Sequence, residues 1–207
     1  MGIKDYSDLN DIHMDVLREL GNIGSGNAAT SLSSMLAKTV DISVPKISVL
    51  DYGQVAEQLG GPEMMCVGLM LSLSGDVEGM LMFLLQKDFT HLVLNALLGE
   101  SLQDFSEINE MGLSAIKEIA NIMAASYVNA ISSMTGLAIN ITVPDICIDM
   151  VGAILSVPAI HYANISDQII YIEDEFHSME ENLTSHILMI PDVNSLGKIM
   201  TNLGIEI

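Results

Sequence analysis

Residues 118–134 read EIANIMAASYVNAISSM, and residues 19–35 read ELGNIGSGNAATSLSSM. Overlaid, the two stretches match at Glu19 and Glu118, Asn22 and Asn121, Ile23 and Ile122, and at the closing Ser-Ser-Met. The match runs on through Ile42 and Ile141, Val44 and Val143, and Pro45 and Pro144. Self-similarity at a fixed long offset is the mark of a tandem repeat.

The elements expected on either side follow the same order twice. A long helical pattern, capped by Ser7 and Asp8, is predicted from about Leu9 to about Leu36. A strand from Val40 to Leu50 follows, in which Pro45 removes one ladder donor and suggests an edge or a bend. Met64–Ser74 and Val77–Leu85 read as a hairpin turning at Gly75-Asp76, and Lys87–Leu98 as a helix stopped by Gly99. The second half repeats this with a helix from about Ser106 to Met134, a strand from Ala138 to Ile148 and a short helical piece, DMVGAILS. Two further strands, DQIIYIEDEF and SHILMIPDV, and a helix from Ser195 to Leu203 complete it. The expectation is an α+β fold, tandem-duplicated with pseudo-twofold symmetry, over about 8–103 and 106–206. A largely antiparallel sheet is shared by both halves and the long helices carry the two sites, giving one domain over 1–207.

Composition narrows the function. The formal charge is -20, from 7 basic against 27 acidic residues. That opposes nucleic acid, whose phosphates require a basic stripe, and equally an anionic membrane surface. No apolar run approaches the roughly 18 residues of a membrane span, so no membrane insertion is expected. Cys66 and Cys147 stand far apart in apolar contexts and read as buried, reduced thiols of a cytoplasmic protein. The five histidines form no HxxxH or HExxH pair, so no metal site is expected. The acidic stretches EDEF and MEEN read as solvated surface.

Chemistry is sought where the repeat keeps polar residues. At about 100° per residue, Asp15, Glu19 and Asn22 share one helix face, with Val16, Leu17, Leu20 and Ile23 opposite. Ser114, Glu118 and Asn121 repeat the arrangement. The triplets therefore point away from the core, towards solvent or a partner. Asn is a mediocre helix former, up to about 0.7 kcal/mol worse than Ala, yet both copies keep it in register with a carboxylate and a proline. A carboxylate can pair with a cation while an amide orients a water. Gly21, Gly24 and Gly26 could suggest a phosphate-cradling loop, but no strand precedes them and the second copy has Ala120, Met123 and Ala125 there. They read instead as room for another backbone to pack closely.

D-x-x-x-E-x-x-N with Pro45, and S-x-x-x-E-x-x-N with Pro144, each leave 22 residues between Asn and Pro. This pattern resembles the signature of the CheC/CheX/FliY chemotaxis phosphatases. Two complete sites resemble CheC more than CheX, which carries one, and no switch domain of the FliY kind is expected after Ile207. The resemblance implies a phosphatase acting on the aspartyl phosphate of a CheY-type response regulator. It implies that Asn22 and Asn121 orient the hydrolytic water, and that Glu19 and Glu118 pair with the regulator's lysine. Asp15, Ser114, Pro45 and Pro144 would support them. No cofactor of its own is implied, since Mg²⁺ comes with the regulator. The resemblance further implies binding of the receptor deamidase CheD, with Asp149 beside the short helix after the second site as the contact. A non-enzymatic adaptor that sequesters CheD or CheY is the other reading of the same surface.

Overall fold

Asp5 and Asp104 open the two halves in the same way. Each carboxylate accepts a backbone N–H two residues on, from Ser7 at 2.8 Å and from Ser106 at 2.9 Å, and so caps a short 3-10 turn. The computed structural model describes residues 5–163, 166–177 and 182–205. The first half continues with α1 (Asp11–Leu36), β1 (Asp41–Ile42), β2 (Lys46–Asp51), α2 (Tyr52–Gln58), β3 (Met65–Gly75), β4 (Gly79–Leu85) and α3 (Lys87–Leu98). The second half gives α4 (Glu110–Thr135), β5 (Ile139–Ile141), β6 (Asp145–Met150), α5 (Val151–His161), β7 (Gln168–His177), β8 (Asn182–Pro191) and α6 (Val193–Asn202). The element sequence is the same in both halves, and the duplicated α+β fold expected from the sequence is present.

Several boundaries differ from expectation for identifiable reasons. Ser7 and Asp8 do not cap α1. Leu9 is extended and separates the first turn from the helix, and Asn10 caps it by accepting from His13 N at 3.1 Å. The His13 ring answers by accepting from Asn10 N, closing a capping box with an imidazole in the usual glutamate position. Asn109 caps α4 in the same register, so that helix begins at Glu110, four residues later than expected. Pro45 and Pro144 split each predicted strand into two short pieces. The piece DMVGAILS divides: Asp149 and Met150 end β6, and the helix starts at Val151. Part of the connection expected between β7 and β8, residues 178–181, lies outside the described residues, and with it most of MEEN.

The sheet explains why the halves are inseparable in sequence. Its strand order is β1-β7-β8-β4-β3-β5, with β2 also on β7 and β6 also on β3, and all the pairs are antiparallel. The central seam joins β4 to β8. Each half's outer strands bond to the other half's inner hairpin, β2 to β7 and β6 to β3. On β4, Leu81, Phe83 and Leu85 face a core with α1, α3, α4 and α6, while Met80, Met82 and Leu84 face a smaller one with α2 and α5. Burial on both faces accounts for the unbroken apolar run GMLMFLL. The long helices α1 and α4 pack against each other on the larger layer.

Candidate functional site

On α1, Leu17, Leu20, Gly21 and Gly24 are buried, which turns Asp15, Glu19 and Asn22 outward, all exposed. On α4, Ile116, Ile119, Ala120 and Met123 are buried, Ser114 and Glu118 are exposed, and Asn121 is half-buried. The helical period thus places both triplets as the sequence implied. Among the described residues, no hydrogen bond or ion pair occupies the side chains of Glu19, Asn22, Glu118 or Asn121. Their donors and acceptors are available to something outside the chain.

Pro45 and Pro144 are buried, each in the gap between two short strands. A methyl group added at Gly21 would meet Ile47 Cδ1 at 2.2 Å and Pro45 Cγ at 4.0 Å. Pro45 and Ile47 therefore sit against the helix one residue from Asn22. At Gly24 the added methyl would meet the Tyr127 ring at 2.6 Å, whereas at Gly26 nothing lies within 4 Å. The glycines at 21 and 24 do admit close packing, but of side chains and not of another backbone as expected.

The two copies differ beside the shared pair. Arg18 Nη1 donates to Asp15 Oδ1 at 2.6 Å, an exposed pair of the kind that adds little stability. Ser114, at the position of Asp15, donates to its own helix at Glu110 O. A basic residue precedes the glutamate in both copies, Arg18 and Lys117, a feature of the repeat that the sequence reading passed over.

Below the exposed face lies a polar cluster that sequence reasoning missed. Ser25 Oγ donates to Asp174 Oδ1 at 2.7 Å and meets the Tyr127 hydroxyl at 2.7 Å, and that hydroxyl donates to Asp174 Oδ2. All three residues are buried, so EDEF is not simply solvated surface: strand alternation turns Asp174 under the helices. Burial pushes its carboxyl up to about 6, against the lowering effect of the Tyr127 and Ser25 hydrogen bonds. The cluster joins α1, α4 and β7. In the other copy the repeat offset puts Ala124 and Ala28 at the places of Ser25 and Tyr127, and strand register puts Leu71 at that of Asp174.

Cys147 is exposed rather than buried. Nor are the thiols remote: β3–β6 pairing sets Cys66 opposite Asp149 and Gly68 opposite Cys147, so both cysteines share one sheet face. Burial raises both thiols, Cys66 to about 12, which makes them poor nucleophiles. Asp149 is exposed at the end of β6, its carboxylate accepting from Met150 N at 2.7 Å. Among the described residues, no three His, Cys, Asp or Glu side chains gather as a metal cluster, and no helix is long and apolar enough to cross a membrane.

A pair of long helices on a shared antiparallel sheet, each presenting Glu and Asn outward, defines a duplicated α+β class of protein. Comparison with known proteins identifies it: the model of the CheC-like family matches residues 12–49 and 111–148, each span running from the first helical turn past the proline. Both copies of the repeat thus match the model of the CheC-like family. It is 28% identical over 203 residues to the CheY-P phosphatase CheC of Bacillus subtilis, covering 96% of this chain and 97% of that one. It is 24% identical over 143 residues to the flagellar motor switch phosphatase FliY of the same organism, covering 69% of this chain and 37% of that protein. Among solved structures, Thermotoga maritima FliY superposes with a TM-score of 0.75 at 22% identity, covering 95% of this chain and 98% of that one, and so shares the fold.

Proposed function

We propose that this chain is a phosphatase of the chemotaxis response regulator CheY-P, using two equivalent sites. The observation that carries the reading is the pair of outward Glu-x-x-Asn faces, Glu19 with Asn22 and Glu118 with Asn121, free of partners within the described chain. A relative named as a CheY-P phosphatase supports the substrate, and a second named as a phosphatase supports the activity. An aspartyl phosphate is an acyl phosphate. Water attacks phosphorus in line, the bond from phosphorus to the aspartyl oxygen breaks, and the regulator's carboxylate leaves. The water's protons pass to phosphate and solvent. The regulator brings Mg²⁺ and a lysine that neutralise the phosphoryl oxygens.

What this chain must add is position. The Asn amide oxygen accepts from the attacking water and fixes its line of approach, and the Glu carboxylate anchors the helix to the regulator's lysine. A neutral amide is no strong base, so the acceleration is that of orientation, with no covalent step on the enzyme. Asp15 and Ser114 border the sites, Pro45 packs beside the first, and Pro144 holds the equivalent place in the second copy. CheD is the second partner in this reading. It would dock at α5, where Asp149 lies at the edge and Val157 and Ile160 are exposed.

Phosphate release from CheY-P tests the mechanism. Asn22→Ala and Asn121→Ala are each expected to keep part of the activity, and the double variant to fall to the regulator's own decay. A double variant as fast as wild type would sink the mechanism and favour the adaptor that binds CheD or CheY without turnover.

A further inference from the structure

The duplication conserves something besides the polar pair. Nine large hydrophobic side chains are exposed among the described residues, and four of them fall at equivalent positions of the two copies. They are Ile12 and Met111, 59% and 65% exposed, and Val44 and Val143, both 78% exposed. A scattered exposed hydrophobic requires no explanation. Two that recur in register on both copies, beside the same glutamate and asparagine, do require one.

Their placement is specific. Ile12, Asp15, Glu19 and Asn22 follow spacings of three, four and three, which keeps them on one face of α1. Met111, Ser114, Glu118 and Asn121 do the same on α4. Ile12 and Met111 lie at one end of that face, seven residues or about 10 Å before the glutamate. Val44 and Val143 flank it from the side, each immediately before the buried proline, and Pro45 sits over Gly21 next to Asn22. Each polar pair is thus bordered by apolar groups on two sides.

We infer that Ile12 with Val44, and Met111 with Val143, form an apolar rim that seals against the phosphorylated receiver protein. The inference rests on the phosphatase reading above. In-line attack by a single oriented water requires exclusion of bulk water around it, and polar contacts strengthen when so enclosed. Interfaces achieve this by ringing the energetic centre with contacts that exclude solvent. A protein occupant that covers Glu and Asn with a patch of about 800 Å² reaches as far as the rim. A net charge of -20 repels a phosphoryl group at long range, so short-range apolar contact must help hold the complex.

The test replaces all four rim residues by polar groups of similar shape: Ile12→Gln, Val44→Thr, Met111→Gln and Val143→Thr. Their exposure means that folding should survive, which circular dichroism checks. With CheY-P as substrate, KM is expected to rise at least tenfold with kcat within about twofold of wild type. The Kd for regulator loaded with beryllofluoride, an acyl-phosphate mimic, should weaken in parallel. Met64→Gln, an exposed hydrophobic away from α1 and α4, should change neither. Asn22→Ala with Asn121→Ala should instead lose kcat and keep Kd, so failure of the catalytic reading registers separately. A rim variant with unchanged KM and Kd overturns the inference while leaving the asparagines untouched. A concentration-dependent dimer abolished in that variant, with KM unchanged, would assign the patch to a second copy and overturn it too. A wild type that neither binds nor hydrolyses the phosphoregulator overturns both.

Discussion

Asp174 is the residue with most to report about the protein's pH response. It is fully buried, has no cation partner among the described residues, and holds its carboxyl near 6 against 3.8 for an ordinary aspartate. The sign follows from proton linkage. Below about pH 4 the group is protonated in folded and unfolded chains alike and has no effect. Between about 4 and 6 the folded chain holds more protons, so stability falls as pH rises, and above 6 the cost of the buried charge is fully present. Asp174→Asn removes that titration and keeps the shape. Its stability relative to wild type should improve by about 2 kcal/mol between pH 4 and pH 7, read from urea midpoints at each pH. Tyr127→Phe should act oppositely at neutral pH, costing about 1–3 kcal/mol by leaving the carboxylate short of a donor. A midpoint difference independent of pH would mean that the Asp174 carboxyl titrates in the folded chain as it does in the unfolded one. None of this was legible in the sequence. Ser25, Tyr127 and Asp174 are brought together by pairing between halves, and an acidic triplet in a strand reads as surface until one knows which face is covered.

The helices carry two mistakes of opposite kind, each exposed by comparing a helix with its repeat. Ala37 ends α1 in the left-handed region at φ 50, where α4 has Gly136 at φ 73. A non-glycine residue there costs roughly 1–2 kcal/mol. Ala37→Gly is therefore expected to raise stability by about 1 kcal/mol, and an unchanged or lower thermal midpoint would count against that strain. Gly24, by contrast, is irreplaceable: its Cβ would enter the Tyr127 ring, so Gly24→Ala should destabilise despite better helix propensity, whereas Gly26→Ala, with open space around it, should gain up to about 1 kcal/mol. Chemical denaturation of the three variants ranks them directly. Most elements were readable because their signals are local: the hairpin at Gly75-Asp76, the stop at Gly99, and the 3.6-residue period that set Glu19 and Asn22 outward. The helix α2 was missed because seven residues with Gly53 near the start show no period. Its one readable cue was Asp51 with Gln54, whose side chain and backbone close a capping box.

The exchange of outer strands makes a claim about the entire chain. β2 bonds along its length to β7 and is clamped there by Lys46, whose ammonium reaches Glu173 at 2.6 Å and Glu175 at 3.1 Å. β6 bonds to β3, and β4 to β8. A first half taken alone would keep only the β3–β4 hairpin, with both edges open and β2 without a partner strand. Bare hairpins are marginal in water, and open apolar edges aggregate. The helices share that fate, because α1 buries its apolar face partly against α4. Residues 1–104 expressed alone should give a collapsed NMR spectrum, and adding residues 105–207 should restore dispersion. In the full chain, amides of β4 and β7 should exchange with the same opening free energy, since neither strand can leave the sheet without breaking the other half. A dispersed spectrum from either fragment, or two separate unfolding transitions, would show that the halves are autonomous. The two sites would then be free to act independently. With the interlocked sheet, a substitution that loosens one half must lower the occupancy of both Glu–Asn faces together, so on the proposed phosphatase reading Ile187→Ala in β8 should reduce phosphate release at the Asn22 site as much as at the Asn121 site. Single-asparagine variants carrying Ile187→Ala, assayed near the unfolding midpoint, distinguish the two cases by whether both residual activities fall with temperature in step.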